Sequence, residues 1–279
     1  MSTITISKIQ LEHHSFKVNG FIFLPEAKVY KNNLIAIFTH GYTSSKTDVF
    51  NWSNRLAEQG IASIIFDLPG HYLGSFEEVF KTDDFVYYAH ELFSQAYQSL
   101  CDFLKSALLK QNQHFIIPSI CILGGHSLGA LLALKAFDLK NLPKEKHFFA
   151  VGLGINQEAK THLFETAFYQ KTLDIRRQLV SPTIAPNIIF KWILEEKKNL
   201  KIHDENIVLI TGDDDIVVGA NGSEELKNLL KKNNNVVSLV KPTKMPHHQP
   251  ELAATHIASY TKNHILLNIN LNGSTKDDS

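Results

Sequence analysis

A serine between two glycines is the residue of this sequence that most clearly suggests chemistry. Ser127 lies in a Gly-x-Ser-x-Gly motif, residues 125–129, after the apolar run Ile120–Leu123 and before a helical pattern. A strand, a sharp turn and a helix in this order raise a serine above the end of a sheet. Gly125 and Gly129 have no Cβ to collide where the strand and the helix cross. In an ordinary loop the same motif would be a coincidence, so the rest of the chain must decide.

A serine hydroxyl is a weak nucleophile near neutral pH and needs a base that is oriented by an acid. After a nucleophile of this kind, the acid and then the base follow later in the chain. The apolar run Ile207–Thr211 leads into three acids, Asp213, Asp214 and Asp215. Three adjacent carboxylates are too costly to bury together, so one should turn inward. The Gly-x-x-Asp spacing and the apolar residues that follow favour Asp215. The other two are expected to be solvated or to form the turn.

Two neighbouring histidines are candidates for the base. His247 and His248 follow a predicted strand, Val236–Val240, and precede the last predicted helix. Adjacent residues generally point in different directions, so only one of the two can act. Position along the chain leaves the choice open.

An acyl-transfer reaction also needs donors for the oxyanion of its tetrahedral intermediate. One expected donor is the backbone N–H of Leu128, the residue after the nucleophile. The second is expected in the loop that leaves the apolar run Leu34–Phe38, where Gly41 lets the backbone bend. The candidate there is the N–H of Tyr42. The plainer alternative is that His40-Gly41 only forms a turn between a strand and a helix.

The elements around these residues alternate between strand and helix. Two alternating segments, Ile4–Gln10 and Phe16–Leu24, predict an antiparallel pair joined by a turn at residues 12–14. Continuous apolar runs predict strands that are buried on both faces. These strands are Leu34–Phe38, Ile61–Phe66, Ile120–Leu123, Phe148–Leu153, Ile207–Thr211 and Val236–Val240. Helices are predicted over Lys46–Gln59, Asp83–Lys110, Leu128–Phe137, Ser223–Lys232 and Glu251–His264. This order indicates an α/β fold with a mostly parallel sheet covered on both faces.

One region interrupts the alternation. Residues 156–203 contain many apolar and aromatic side chains but no clear buried strand. We interpret them as a short helical cap inserted over the carboxyl end of the sheet, within a single domain over residues 1–267. The alternative is an ordinary pair of connecting helices that covers the core. Residues 268–279 form a polar C-terminal tail that is expected to be frayed.

Composition excludes several classes of function. The chain has 279 residues, 28 basic and 28 acidic, so the formal net charge is zero and gives no indication of nucleic-acid binding. The N-terminal residues do not resemble a signal peptide, and no apolar run is long enough to span a membrane. Cys101 and Cys121 lie in apolar segments and are expected to be buried free thiols, which fits a cytoplasmic location. No His, Cys or Asp spacing predicts a metal site, and no cofactor is expected.

Taken in order, these motifs resemble the α/β-hydrolase superfamily. They are His40-Gly41-Tyr42, Asp67-Leu68-Pro69-Gly70-His71, residues 125–129, Gly212-x-x-Asp215 and the late histidine pair. The resemblance covers about residues 4–264 and implies a central sheet of about eight strands. The segment from His40 to Lys46 is also similar to small serine esterases of the dienelactone-hydrolase-like and cinnamoyl-esterase-like groups.

The resemblance implies a catalytic triad of Ser127, Asp215 and His247, with His248 as the alternative base. It places the oxyanion hole at the N–H groups of Tyr42 and Leu128. The Met-x-His pattern of residues 245–247 resembles related hydrolases and favours His247 over His248 as the base. Two departures occur: Tyr72 stands where a glycine is common, and Pro246 or His247 stands where a glycine commonly precedes the base. Dienelactone hydrolases themselves use a cysteine nucleophile, so a serine argues against that activity.

The expected function is therefore hydrolysis of small to medium carboxylic esters through an acyl-serine intermediate. Thioesterase, lactonase and acyl-peptidase activities need the same groups and stay open. A catalytically silent hydrolase fold that only binds ligands is the alternative from another class. The expected partner is a small-molecule acyl ester, with a homodimer left open.

Overall fold

An eight-stranded, mostly parallel sheet forms the centre of the protein. The computed structural model describes residues 4–26, 30, 33–74, 80–110, 112–155 and 167–269, apart from the side chain of Phe168. The strands are β1 (Thr5–His13), β2 (Phe16–Leu24), β3 (Leu34–Thr39), β4 (Ala62–Phe66), β5 (Ile120–His126), β6 (Glu145–Val151), β7 (Asn206–Ile210) and β8 (Val236–Val240). Their order in the sheet is β1-β2-β4-β3-β5-β6-β7-β8. The expected architecture of the sheet is confirmed.

The pattern of apolar residues in each strand explains whether the strand lies in the centre or at the edge of the sheet. β3, β4 and β5 are buried along their whole length, as strands covered on both faces must be. They pair in parallel, with Leu34 opposite Ile120 and Ile35 opposite Ala62. β2 alternates between buried and more accessible residues, whereas β1 is accessible except at Leu11, and the two form the predicted antiparallel pair at the edge of the sheet.

Helices cover both faces of this sheet. They are α1 (Phe50–Glu58), α2 (Thr82–Tyr88), α3 (Leu92–Leu109), α4 (Leu128–Lys135), α5 (Ala167–Gln178), α6 (Pro186–Lys198), α7 (Gly222–Lys231) and α8 (Ala254–Tyr260). Trp52 of α1 and Ile257 of α8 are buried with Phe38 on one face. On the other face, buried residues of α3, α4, α6 and α7 form a second core with β5 and β6.

Several element boundaries differ from the predictions. The helix predicted over 83–110 is divided into α2 and α3 by a short 3-10 turn, Ala89–Glu91. No glycine or proline marks this break, and Glu91 within it accepts a hydrogen bond from His13 over 2.7 Å. His13 itself ends β1, although the sequence placed it in the turn. The helix predicted over 251–264 begins as a 3-10 turn at Pro250 and widens into a π turn at Thr261–Leu266.

The strand that precedes Ser127 is also longer than predicted. β5 continues through Gly124 and Gly125 to His126, because these residues still pair with β6 as far as Val151. Ser127 therefore follows directly on the last paired residue of a central strand.

Three further expectations concern the cysteines, membrane-spanning segments and the chain end. Cys101 and Cys121 are free and buried, as predicted. Across the described part of the chain, no helix is both long and apolar enough to cross a membrane. Most of the predicted tail, residues 270–279, lies outside the described residues.

Candidate active site

Ser127 occupies a sharp turn between β5 and α4. Its backbone has φ 50° and ψ −107°, a combination that residues other than glycine rarely adopt. A Cβ on Gly125 would lie 2.5 Å from the carbonyl carbon of Gly129, and one on Gly129 would lie 2.4 Å from the carbonyl oxygen of His40. The two glycines are therefore required by the close crossing of strand and helix. The N–H of Ser127 donates to Val151 over 2.8 Å, which extends the β5–β6 pairing into the turn.

The loop after β7 buries one carboxylate of three. Asp215 is 3% exposed, and its Oδ1 accepts hydrogen bonds from the N–H groups of Val217 and Val218, each over 3.0 Å. Asp213 and Asp214 are exposed. Oδ1 of Asp214 accepts from the N–H of Met245 over 2.8 Å and so joins this loop to the histidine loop. The placement of the three acids agrees with the partition expected from the sequence.

The structure brings His247, and not His248, to the buried acid. Nδ1 of His247 donates to Oδ2 of Asp215 over 2.9 Å. His248 is exposed and makes no hydrogen bond to Asp215 within the described ranges. Both histidines line the same cavity as Ser127. The two loops that carry acid and base pack closely, since a Cβ on Gly212 would lie 2.1 Å from the carbonyl oxygen of Met245.

A third histidine lies behind the base. The ring of His126, the residue before the serine, is buried and its centroid is 4.7 Å from that of the His247 ring. Burial, and next the charge of His247, hold the pKa of His126 well below its usual value. His126 is therefore neutral near pH 7 and packs against the His247 ring without adding a second charge.

The loop that carries Tyr42 is fixed by buried polar contacts to the end of β4. His40 is fully buried, and burial lowers its pKa to about 3, so its ring is neutral. Nδ1 donates to the carbonyl of Gly41 and Nε2 accepts from the N–H of Leu68, each over 2.8 Å. These two bonds fix the backbone turn that immediately precedes Tyr42.

A buried ion pair fixes the same loop a second time. Asp67 accepts from the backbone N–H of Lys46 over 2.8 Å and from its ammonium over 2.6 Å. The carboxylate is fully buried and the lysine side chain is 11% exposed. Sequence reasoning used Asp67 only as part of a motif and did not find this partner, because the two residues are joined by the fold rather than by local spacing.

The two expected oxyanion donors are free. Among the hydrogen bonds of the described residues, neither the N–H of Tyr42 nor that of Leu128 has an acceptor. Leu128 is the first residue of α4, where N–H groups have no partner inside the helix. Both residues line the cavity beside Ser127.

This cavity has a volume of about 260 Å³ and lies between the loops that carry Tyr42, Ser127 and His247 and the helices α5 and α6. Much of its wall is apolar or aromatic, formed by Tyr42, Leu128, Leu153, Tyr169, Phe190, Ile193, Val217 and Val218. Arg176 of α5 and Lys197 of α6 also line it, and sequence reasoning missed both. A signal was present: Lys197 follows the buried residues Phe190 and Ile193 of α6 at helical spacing.

The segment between α5 and α6 is bonded to the loop after β4. The N–H of Ser181 donates to Gly70 over 2.8 Å, and the N–H of Tyr72 donates to Leu179 over 3.0 Å. The hydroxyl of Tyr42 donates to the carbonyl of Ile184 over 2.9 Å, which ties this segment to the loop after β3. The described part of the predicted cap thus contacts the site directly, while residues 156–166 lie outside the described residues.

One group of side chains away from this cavity could hold a metal ion. Ligand atoms of His13, His14 and Glu91 all lie within 4.8 Å of one another. The two histidines already hydrogen-bond to the Glu91 carboxylate, over 2.7 Å and 3.3 Å, and none of the three lines the cavity. The cluster fastens the β1–β2 turn to the break between α2 and α3.

Comparison with known proteins gives a family and a fold. Residues 36–201 match the sequence model of a family described as the alpha/beta hydrolase family. No curated protein matches the sequence significantly.

Solved structures with the same fold include several enzymes. The esterase domain of a Rhodothermus marinus protein is 16% identical, with a TM-score of 0.53, over 92% of this chain and 98% of that one. Est1E from Butyrivibrio proteoclasticus is 14% identical, with a TM-score of 0.53, over 93% and 99%. A thioesterase domain from the curacin biosynthetic pathway is 16% identical, with a TM-score of 0.56, over 93% and 100%. At these identities the likeness is one of fold.

Proposed function

Because this chain belongs to the alpha/beta hydrolase family, we propose that it is a serine hydrolase that cleaves small to medium carboxylic esters. The observation that carries the proposal is the 2.9 Å hydrogen bond between His247 and the buried Asp215, in loops that line one cavity with Ser127. A nucleophile, a base and an orienting acid in one site are the parts that acyl transfer through serine requires.

Ser127 is the nucleophile and His247 the general base. The Nδ1–H bond to Asp215 leaves Nε2 of His247 as the acceptor for the serine proton. Oγ of Ser127 attacks the acyl carbon while Nε2 takes its proton. The imidazolium then returns the proton to the leaving alcohol, and the acyl group remains on the serine. Water activated by His247 attacks the acyl-serine, releases the acid and restores the free hydroxyl.

The negative charge of each tetrahedral intermediate falls on the former carbonyl oxygen. The N–H groups of Tyr42 and Leu128 are the proposed donors to this oxygen, since both line the cavity and neither has an acceptor among the described residues. Fixed donors of this kind each lower the barrier by about 3–4 kcal/mol. The bonds that fix His40 and Lys46 keep the first donor in place before substrate arrives.

The cavity limits the substrate. A volume of about 260 Å³ with a largely apolar wall suits an acyl group of short to medium length. We propose that α5, α6 and the segment between them act as the cap that closes this cavity. Thioester hydrolysis is the second candidate, favoured by the fold likeness to a thioesterase domain. Lactone and amide hydrolysis would use the same groups.

The location proposed for the protein is the cytoplasm. The support for it is the pair of free, buried cysteines, a pattern typical of proteins that fold under reducing conditions. Fractionation of the source cells with an antibody against the chain would test this, and recovery with exported proteins would contradict it.

Active-site labelling tests the nucleophile. A fluorophosphonate probe should label the native protein at Ser127, and Ser127→Ala should lose both the label and hydrolysis of 4-nitrophenyl butyrate. Absence of labelling in folded protein would favour the silent, ligand-binding alternative. Hydrolysis at the parent rate by Ser127→Ala would contradict the proposal outright.

Paired histidine variants test the base. His247→Ala should lower kcat by about 10⁴-fold or more, as loss of a triad base does in other hydrolases. His248→Ala is the matched control, because His248 is the adjacent and exposed histidine of the same cavity. The reverse pattern would move the base to His248.

A further inference from the structure

Two cationic side chains face the substrate cavity. Arg176 comes from α5 and Lys197 from α6, and each shares its helix face with apolar or aromatic residues of the cavity wall. Tyr169 and Leu173 precede Arg176 at helical spacing, and Ile193 precedes Lys197 by one turn. Charged residues on the inner face of a helix are uncommon without a partner, so their presence calls for one.

Among the described residues, the ammonium of Lys197 has one hydrogen-bond partner. Its ammonium donates to the carbonyl of Gly154 over 2.9 Å, and it forms no ion pair with any described carboxylate. An ammonium has three N–H donors, so two are left over. Burial lowers the pKa of Lys197 to about 8, against a smaller opposing effect of the Asp215 charge. The ammonium is charged at neutral pH, and no carboxylate of the described residues lies in contact with it.

Arg176 is held in place by neutral groups. Its Nε and one terminal nitrogen donate to the hydroxyls of Thr172 and Thr43, each over 3.2 Å. Its guanidinium carbon lies 4.4 Å from the centre of the Tyr169 ring. Thr43 follows Tyr42, the proposed oxyanion donor, and Arg176 lines the same cavity as Ser127. Three of its five N–H donors remain available.

The carboxylates of the cavity form no direct ion pair with these cations in the part of the chain that the structure describes. Asp215 is bonded to His247 and to two backbone N–H groups. Asp48, the other carboxylate in the lining, accepts a hydrogen bond from Ser44 and forms no ion pair within the described ranges. The two cations therefore keep N–H donors that have no acceptor among the described residues, and these donors face the space where the substrate must lie.

We propose that the substrate of this site carries an anionic group, a carboxylate or a phosphate, which Lys197 and Arg176 bind while Ser127 attacks the ester or thioester. This inference rests on the proposed function and names its substrate class. The apolar wall would take the carbon chain, and the two cations would select a charged end over a neutral one. Charge-assisted bonds to a partly buried anion are strong enough to set such a preference.

Two pairs of substrates test the proposal and separate the sources of charge. The first pair, mono(4-nitrophenyl) glutarate and its neutral methyl ester, places a carboxylate on the acyl side. The second, butyryl-coenzyme A and S-butyryl-N-acetylcysteamine, places phosphates on the leaving group. In at least one pair, kcat/KM should favour the charged member by about 10-fold to 100-fold.

Variants identify the groups responsible. Lys197→Gln keeps a donor for the Gly154 carbonyl but removes the charge, and Lys197→Arg keeps the charge. The preference should fall in Lys197→Gln and Arg176→Gln and persist in Lys197→Arg. Matched controls are Lys191→Gln and Arg177→Gln, because these residues lie on the same helices with side chains 85% and 50% exposed. Both controls should keep the preference.

Equal kcat/KM within both pairs for the parent protein would overturn the inference and leave ester hydrolysis intact. If none of the four compounds is hydrolysed, the proposed function fails instead. Calorimetric titration with glutarate and with coenzyme A then tests the anion site alone. Binding by the parent protein that is lost in Lys197→Gln would support the anion-binding site. Absence of binding by both ligands would reject it.

Discussion

His247 and Asp215 share a hydrogen bond of 2.9 Å in which the carboxylate is almost inaccessible to water. The other carboxylate oxygen is occupied by the N–H groups of Val217 and Val218, each at 3.0 Å. The acid is therefore fixed by the backbone of its own loop, and one oxygen is left to orient the imidazole.

Replacement of this acid tests its role. Asp215→Asn should lower kcat for 4-nitrophenyl butyrate by about 10³-fold to 10⁴-fold, because an amide at this position can select the wrong imidazole tautomer. Asp213→Asn is the control, since that neighbour is exposed and contacts Lys241 at 3.6 Å. Steady-state kinetics on both variants, with circular dichroism to verify folding, decide the matter. Equal effects of the two substitutions would count against Asp215.

The pair formed by Lys46 and Asp67 should contribute strongly to stability. Asp67→Asn leaves a buried ammonium without a counter-charge, which costs about 3–5 kcal/mol in comparable buried pairs. Urea unfolding of the parent and the variant measures the loss. Glu12→Gln removes an exposed pair with Lys17, at 3.5 Å, and should change the free energy of unfolding by less than about 1 kcal/mol. Similar losses in both variants would contradict the buried role of Asp67.

The anion preference should depend on pH through Lys197. Its pKa of about 8 means that the charge is present below that pH and is lost as the pH rises through it. The ratio of kcat/KM for the charged and neutral glutarate esters should therefore fall above about pH 8. In Lys197→Arg the ratio should stay constant, because a guanidinium remains protonated throughout.

Other titrating groups face the same cavity. They are Tyr42, Asp48, His126, Tyr169, Arg176, Asp215, His247 and His248. A change at the proposed base affects hydrolysis of both esters alike and cancels in their ratio. Burial raises the pKa of Tyr169 to about 12 and lowers that of His126, so neither changes charge in this range. A ratio that does not change across pH 8 in the parent protein would exclude Lys197 as the titrating group.

The thiols should take no part in catalysis. Burial raises the pKa of Cys101 to about 11 and also raises that of Cys121, so the reactive thiolate is scarce at both positions near neutral pH. Iodoacetamide should leave native protein unmodified and fully active, and it should alkylate both residues in urea. Mass spectrometry counts the adducts. Inactivation of native protein by alkylation would point to a cysteine-dependent reaction.

The sheet could be predicted because its signals are local. The apolar run Leu34–Phe38 and the glycines around Ser127 are consecutive in sequence, and their patterns carry the strand and the turn. The break between Tyr88 and Leu92 gave no such signal, since helical periodicity continues through it and the contact of Glu91 with His13 joins distant parts of the chain.

In the candidate site, too, residues with a local sequence signal could be predicted and residues brought in by distant parts of the chain could not. Asp215 could be chosen among three acids because apolar residues follow it directly. The choice between His247 and His248 depends on side-chain direction, which sequence order does not contain. Lys197 and Arg176 were missed because helices far along the chain bring them to Ser127.

The unusual backbone at Ser127 has a consequence for selection on this chain. A side chain at φ 50° and ψ −107° is strained by about 1–3 kcal/mol, and glycine would relieve that strain. Ser127→Gly should therefore unfold at a higher urea concentration than Ser127→Ala, although both lack the hydroxyl. Selection that keeps serine at position 127 would favour turnover at the expense of folding stability. A lineage that no longer needs the activity should therefore accumulate glycine there, which gives a more stable but inactive protein.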